Sequence, residues 1–270
     1  MKLQNELTIA KEAVRQASVL CTSIQSSLGS VAQLDKADKS PVTVADYGAQ
    51  ALVLNILAKA FPEDPAVGEE DTGELRDPEN VPLLSSIIEQ VQKIDPSIDR
   101  NGILDSIDRG GHPGGPSGRF WTLDPIDGTK GFLRGEQYAV ALALIIDGEV
   151  VLGVLGCPKL TVDSDVSNPQ VGTILYAVKG QGAYRAPLSD LSRAFKITCD
   201  QISDPALAVF CESVESGHTA HGWSAEITEL LGSKSKPFRM DSQCKYAAVS
   251  RGQASIYLRL PTKPGYEEKI

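Results

Sequence analysis

The run Phe120-Trp121-Thr122-Leu123-Asp124-Pro125-Ile126-Asp127-Gly128-Thr129 sets two carboxylates three residues apart, with a proline between them and a Gly-Thr pair behind. An apolar stretch ending at a carboxylate reads as a strand. Pro125 fixes φ, so a turn is expected there, converging Asp124 and Asp127 and bending the Ile126 carbonyl toward the same space. Gly128 lets backbone approach a ligand closely, and Thr129 offers a hydroxyl and an N–H where an anion can sit. Hard oxygen donors beside a phosphate pocket are what Mg²⁺ chemistry requires. Asp-Pro and Asp-Gly are also ordinary turn formers, so the string alone has two readings.

Three further clusters carry reactive groups. Gly68-Glu69-Glu70-Asp71 supplies a carboxylate that could complete a metal site, or else forms an acidic solvated loop. Thr43-Val44-Ala45-Asp46 reads as a helix start, with Thr43 as N-cap and Asp46 at the third position. There a carboxylate is expected to stay ionised and able to accept a proton. Gly217-His218-Thr219-Ala220-His221 and Asp241-Ser242-Gln243-Cys244-Lys245 fall at the carboxyl ends of two expected strands, where open α/β sheets bind ligands. As a zinc site the histidine pair lacks a matching cysteine or acid at ligand spacing.

The elements that must position these groups follow from periodicity. Leu3, Leu7, Ala10, Val14, Ala17, Cys21, Ile24 and Leu28 mark a long amphipathic helix with Gly29 as its stop. A second helix runs from Ser40 to Ala60, and a third from Pro82 to Ile94. From Asp95 to Gly118 the period fails and glycine and proline accumulate, which predicts a mobile surface loop. Gly114 to Arg119 is no phosphate loop, since it lacks the Gly-Lys-Ser/Thr ending and precedes a strand. Asp147-Gly148 joins Tyr138–Ile146 and Glu149–Leu155 as a hairpin, and Lys179-Gly180-Gln181-Gly182 joins a second, with Phe195–Thr198 a further short strand. After Cys199 the order becomes βαβαβ: strands at 206–211, 237–240 and 254–260, helices at 224–231 and 242–251. No helix follows the last strand, so part of that sheet is expected to lie uncovered. Two domains are expected, 1–198 with helices and an antiparallel sheet, and a partial α/β domain at 199–270.

Composition narrows the classes. The chain has 270 residues, 41% hydrophobic and 23% charged, as in a globular protein of ordinary make-up. No apolar window is long enough to span a membrane, and Glu6, Lys11 and Glu12 break any signal-peptide pattern. Five scattered cysteines without a C-x-x-C, and no glycosylation sequon, suggest reduced thiols and a cytoplasmic location. A net charge of −9 argues against nucleic-acid binding. An acidic protein can still handle phosphate if metal ions bridge carboxylate and phosphate.

Together these stretches resemble the lithium-sensitive, magnesium-dependent phosphomonoesterase superfamily of inositol monophosphatase and fructose-1,6-bisphosphatase. The nearest branch is that of the 3′(2′),5′-bisphosphate nucleotidases, the fungal and plant salt-tolerance phosphatases. The resemblance rests on Ser40–Tyr47, Val67–Glu70, Gly118–Gln137, Gly217-His218, Asp241–Tyr246 and Tyr257–Pro261, in the family's order over the whole chain. It implies a layered αβαβα fold of mixed α+β and α/β character, with the second domain incomplete. It also implies a Mg²⁺-dependent enzyme, working as a monomer on a small bisphosphate nucleotide: 3′-phosphoadenosine 5′-phosphate would give AMP, and 3′-phosphoadenylyl sulfate would be a second substrate. Carried over by motif, Glu69, Asp124 and the Ile126 carbonyl would hold one Mg²⁺, and Asp124 and Asp127 a second. Asp46 and Thr129 would orient and deprotonate the attacking water, and Gly128 and Thr129 would grip the scissile phosphate. His218, Ser242, Lys245 and Arg259 would contact the nucleotide. The family's motif continues beyond Tyr-Glu-Glu-Lys-Ile with a Trp-Asp whose Asp is a ligand. With Ile270 last, the resemblance implies an impaired second metal site and weak turnover. The alternatives are an inositol monophosphate or polyphosphate phosphatase of the same superfamily, and a remnant that binds nucleotide without cleaving it.

Overall fold

A computed structural model describes residues 3–28, 40–163, 169–215 and 221–261, in two units, Met1–Phe195 and Lys196–Ile270. In chain order the first unit begins with helices α1 (Gln4–Leu28) and α2 (Ser40–Ala60), then strand β1 (Ala66–Val67), then α3 (Val81–Ile94) and α4 (Arg100–Asp108). Strand β2 (Arg119–Asp127), the short helix α5 (Thr129–Leu133), and strands β3 (Ala139–Ile146), β4 (Glu149–Thr161), β5 (Val171–Val178) and β6 (Ala183–Pro187) follow, with β7 (Phe195–Ile197) at the division. They form a seven-stranded sheet in sequential order. Only the pairing of β1 with β2 is parallel among β1 to β6.

Hydrophobic periodicity explains the helices. Leu7, Ala10, Val14, Ala17, Cys21 and Ile24 are buried along one face of α1. That face lies close on the sheet: a Cβ on Gly156 of β4 would stand 2.5 Å from Ser18 Oγ and 2.7 Å from Val14 Cγ1. The first hairpin turns on Asp147 and Gly148 at φ 50° and 77°, the left-handed pair that suits the twist of its strands. Gly180 and Gly182, both at positive φ, turn the second.

Two expectations need correcting here. The segment 95–118 is not a mobile loop throughout, because α4 lies inside it. Asp99 caps that helix by accepting from Gly102 N–H at 2.8 Å, and Ile103, Leu104 and Ile107 are buried. The apolar run is too brief, and too mixed with Asp and Gly, for its period to register. The glycines that follow are ordered by β1: Gly110 accepts from Gly68 N–H at 2.8 Å, and His112 N–H donates to the Ala66 carbonyl at 3.1 Å. Helix α2 spans Ser40–Ala60 as the sequence predicts, so Thr43 lies inside it and is no N-cap, and Asp46 sits in the second turn.

The second unit holds strand β8 (Phe210–Glu212), helix α6 (His221–Leu230), strand β9 (Phe238–Arg239), helix α7 (Cys244–Ser250) and strand β10 (Ile256–Tyr257). The strands lie in the order β10-β8-β9, all parallel, as the alternation of elements predicts. Ala206 and Leu207, expected in the first strand, instead belong to a single 3-10 turn, Pro205–Leu207, capped by Asp204. Among the described residues no helix is long and apolar enough to cross a membrane.

Candidate active site

Two features of β2 assemble the acidic residues. The first is register. β1 runs parallel to β2 with Ala66 opposite Trp121 and Val67 opposite Thr122. Glu69 and Asp124 therefore each lie two residues beyond a β1–β2 paired position, toward the same end of the sheet. Trp121 anchors this junction: it is fully buried, stacks on Phe61 at 5.8 Å and donates from Nε1 to Asp64 at 3.1 Å.

The second feature is a bulge. The sequence predicts a turn at Pro125, but the strand continues through Asp127. Asp124 pairs with Ala141 and Asp127 with Ala139, so three steps along β2 match two along β3. In a regular strand, residues three apart point to opposite faces. The extra residue restores a common face, and Pro125, which has no N–H to donate, sits where the ladder is interrupted. Gly128 then turns the chain at φ 93°, and Thr129 opens α5 with its hydroxyl 3.5 Å from the Ile126 carbonyl.

Helix α2 supplies the third side. Asp46 and Tyr47 are buried on it. Burial first, then the charges of Glu70, Glu69 and Asp124, push the Asp46 carboxyl up to about 9. Without a cation, the position of Asp46 within the helix, among other acids and not at an exposed terminus, disfavours its ionised form. Burial, then Asp127 and Glu69, push Asp124 up to about 8, against the pull of the Ile126 N–H. Glu69 is raised by burial and by Asp127. Glu70 is raised by burial and Glu69, and partly relieved by a hydrogen bond from the Tyr47 hydroxyl. These mutual effects place Asp46, Glu69, Glu70, Asp124 and Asp127 in one electrostatic neighbourhood.

The donor chemistry fits a hard divalent cation. Asp124 Oδ1 is buried with no hydrogen-bond partner, an orphan acceptor of the kind an ion satisfies. A dication would also offset the cost of ionising several half-buried carboxyls together. Among the described residues no three His, Cys, Asp or Glu side chains are gathered closely enough to enclose an ion, so closing round one takes side-chain movement from these positions.

In the second unit, three of the four expected nucleotide contacts lie at the carboxyl edge of the parallel strands. Ser242 is buried at φ 64°, with its Oγ accepting from Cys244 N–H at 3.2 Å. Lys245 is also buried; its ammonium donates to the Met240 carbonyl at 3.2 Å and lies 5.6 Å from the Tyr257 ring. Arg259 interacts with the Tyr257 hydroxyl. His218 lies outside the described residues. His221 is no zinc ligand here: its Nε2 meets the Ser213 carbonyl at 3.0 Å and lies 4.0 Å from Glu212. None of the five cysteines is in a disulfide, and burial pushes the Cys211 thiol up to about 11, which leaves it unreactive.

Sequence reasoning passed over Tyr47, Gln50 and Glu212. Gln50 carried a faint signal, four residues after Asp46 and hence on the same helical face. Glu212 carried none, since a lone acid in a short apolar run reads as an edge position.

The model of the inositol monophosphatase family matches residues 2–265. The chain belongs to that family. Its curated relatives include 3′(2′),5′-bisphosphate nucleotidase 1 of Arabidopsis thaliana, 43% identical over 287 residues, covering all of this chain and 81% of the relative. The 3′(2′),5′-bisphosphate nucleotidase of Oryza sativa is 46% identical, covering 98% of this chain and 78% of its own. Inositol monophosphatase-family structures share the fold. An IMPase of Thermotoga maritima superposes with a TM-score of 0.60 at 20% identity, covering 93% of this chain and 74% of its own. An inositol monophosphatase from Zymomonas mobilis gives 0.56 at 20% identity, covering 94% and 76%. The layered α+β architecture is thus that of an inositol monophosphatase-family phosphatase.

Proposed function

We propose that this chain is a Mg²⁺-dependent phosphomonoesterase that removes the 3′-phosphate of 3′-phosphoadenosine 5′-phosphate, releasing AMP and phosphate, and treats 3′-phosphoadenylyl sulfate likewise. The observation that carries the reading is the β1–β2 register with the β2 bulge, which brings Glu69, Asp124 and Asp127 to one end of the sheet. The names of the relatives at 42–46% identity support the nucleotide substrate.

In this reading Glu69, Asp124 and the Ile126 carbonyl would hold one Mg²⁺, and Asp124 and Asp127 would hold a second. Bound Mg²⁺ supplies charge stabilisation at the phosphoryl group and the leaving ribose oxygen, and acidifies water. The chain's own groups do the rest. Thr129 and Asp46 orient the attacking water and take its proton as its oxygen bonds to phosphorus and the bond to the ribose oxygen breaks. Burial and the neighbouring acids disfavour the ionised Asp46 that this task needs, and the charge of bound Mg²⁺ would restore it by offsetting those acids. The Gly128–Thr129 backbone grips the phosphate, where a side chain at Gly128 would also have to tolerate a φ of 93°. The same reading gives the nucleotide and its remaining phosphate to His218, Ser242, Lys245 and Arg259.

The test is phosphate release by the 270-residue chain from 3′-phosphoadenosine 5′-phosphate and from inositol phosphates, each with Mg²⁺ or with chelator. Release that requires Mg²⁺ and favours the nucleotide is expected. Preference for inositol phosphates would transfer the chain to that activity, and metal-independent release would overturn the mechanism.

A further inference from the structure

Gln50 stands one helical turn beyond Asp46 on α2 and is fully buried. Its carboxamide binds only backbone. Oε1 accepts from the Glu69 and Glu70 N–H groups, each at 3.0 Å. Nε2 donates to the Glu70 carbonyl at 2.6 Å and to the Ile107 carbonyl at 3.1 Å. Both lone-pair directions and both N–H bonds are therefore in use, the condition under which a buried amide is tolerated.

These bonds fall on consecutive peptide groups. The Glu69 N–H belongs to the peptide before Glu69, the Glu70 N–H to the peptide after it, and the Glu70 carbonyl to the next. With the peptides on both sides tied to one rigid amide, φ and ψ of Glu69 are fixed, and with them the direction of its Cα–Cβ bond. The neighbouring glycines fit the same device. A Cβ on Gly68 would lie 2.6 Å from Gln50 Oε1, and one on Gly110 would lie 2.9 Å from Nε2. The Ile107 carbonyl ends the chain of contacts on α4, so the amide joins three separate segments at one point.

We propose that Gln50 is a positioning residue: it aims the Glu69 carboxylate and thereby sets the affinity for Mg²⁺, without touching ion or substrate. The inference rests on the reading of Glu69 as a Mg²⁺ ligand. It gives Gln50 the place of an outer partner that orients a ligand, except that it works through the ligand's backbone and not its side chain.

The experiment is calorimetric Mg²⁺ binding to wild type, Gln50→Met and Val154→Ala, with amide hydrogen exchange followed at Glu69 and Glu70. Gln50→Met keeps the volume and removes all four bonds. Val154→Ala loses core packing in β4, two strands over from β2 and its acids, and controls for lowered stability. The expected result is about 10–100-fold weaker Mg²⁺ binding in Gln50→Met, as for loss of an outer partner. Faster exchange at both amides should accompany it, with half-saturating Mg²⁺ for turnover raised and kcat at saturating Mg²⁺ largely kept. Val154→Ala should lower the melting temperature and leave the Mg²⁺ constant unchanged. Should Gln50→Met fail to fold, Gly68→Ala, whose methyl presses on the same amide, should weaken Mg²⁺ in the same direction. An unchanged Mg²⁺ constant in the Gln50 or Gly68 variant, beside a wild type that binds, would overturn the positioning role alone. An equal loss in Val154→Ala would also overturn it. A wild type that takes up no Mg²⁺ would bring down the site reading and this inference together.

Discussion

In the first unit, burial raises the carboxyls of Asp46 and Asp124, and each neighbouring acid raises them further. In the second unit Glu212 is buried just as deeply, yet the Arg239 guanidinium meets it at 2.8 Å and His221 stands at 4.0 Å. The first arrangement is held by register and a bulge, with the Tyr47 hydroxyl relieving Glu70 and the Ile126 N–H relieving Asp124. The second carries its own counter-charge at Oε1, although its Oε2, like Asp124 Oδ1, has no hydrogen-bond partner among the described residues. A group of like charges assembled at such electrostatic cost marks a site that expects an external cation, whereas a buried acid already paired serves the protein's own structure.

The largest expected effect tests that contrast directly. Asp124→Asn should lower Mg²⁺-dependent phosphate release by about a thousandfold, since several kcal/mol of charge stabilisation is lost with the ligand. Glu212→Gln should leave turnover within the same order of magnitude. Comparable losses in both would erase the distinction.

The pH dependence sharpens it. Without divalent ions, Asp124 and Asp46 keep protons up to about 8 and about 9 in the native state, whereas an unfolded carboxyl releases them near pH 4, at about 3.9. The native state binds more protons across that interval. Stability should therefore be greatest below about pH 4 as far as these groups are concerned, and fall as pH rises through their native values. Melting temperatures in chelator should show this decline, and Mg²⁺ should reverse it at pH 8. Asp124→Asn should flatten the decline; an unaltered slope would mean that the acids do not act on one another.

Smaller effects probe the two regions separately. Lys245→Met should weaken nucleotide binding by about 10–100-fold, the worth of a charged hydrogen bond of about 1.5–3 kcal/mol, seen in KM with little change in kcat. Gly128→Ala should destabilise by about 1–2 kcal/mol, the cost of a side chain at positive φ, measured by denaturant unfolding.

What the sequence reveals depends on whether neighbours along the chain or across the sheet decide the outcome. The α1 stripe, the Asp147-Gly148 hairpin and the parallel strands of the second unit are written in local period and turn chemistry. The acids at Asp124 and Asp127 are equally visible, but a proline between them reads as a turn; only pairing with β3 makes it a bulge. Asp46 looks like a cap because its burial depends on the 69–70 segment arriving beside it. Gln50 hides for a related reason: its partners are backbone groups, which every sequence possesses. Helix α4 is legible only through Asp99, a cap whose helix is too short to declare itself.

The β1–β2 pairing has a further thermodynamic result. It joins two short stretches far apart in the chain, so in an unfolded polypeptide the Glu69-Glu70-Asp71 acids and the Asp124/Asp127 pair are not brought to one ion. On the proposed reading ion uptake would begin after the strands have met, and nearly all of its free energy would appear as preference for the native state. The magnesium concentration of the surroundings would then act as a thermostat on the protein's lifetime as well as supporting its chemistry.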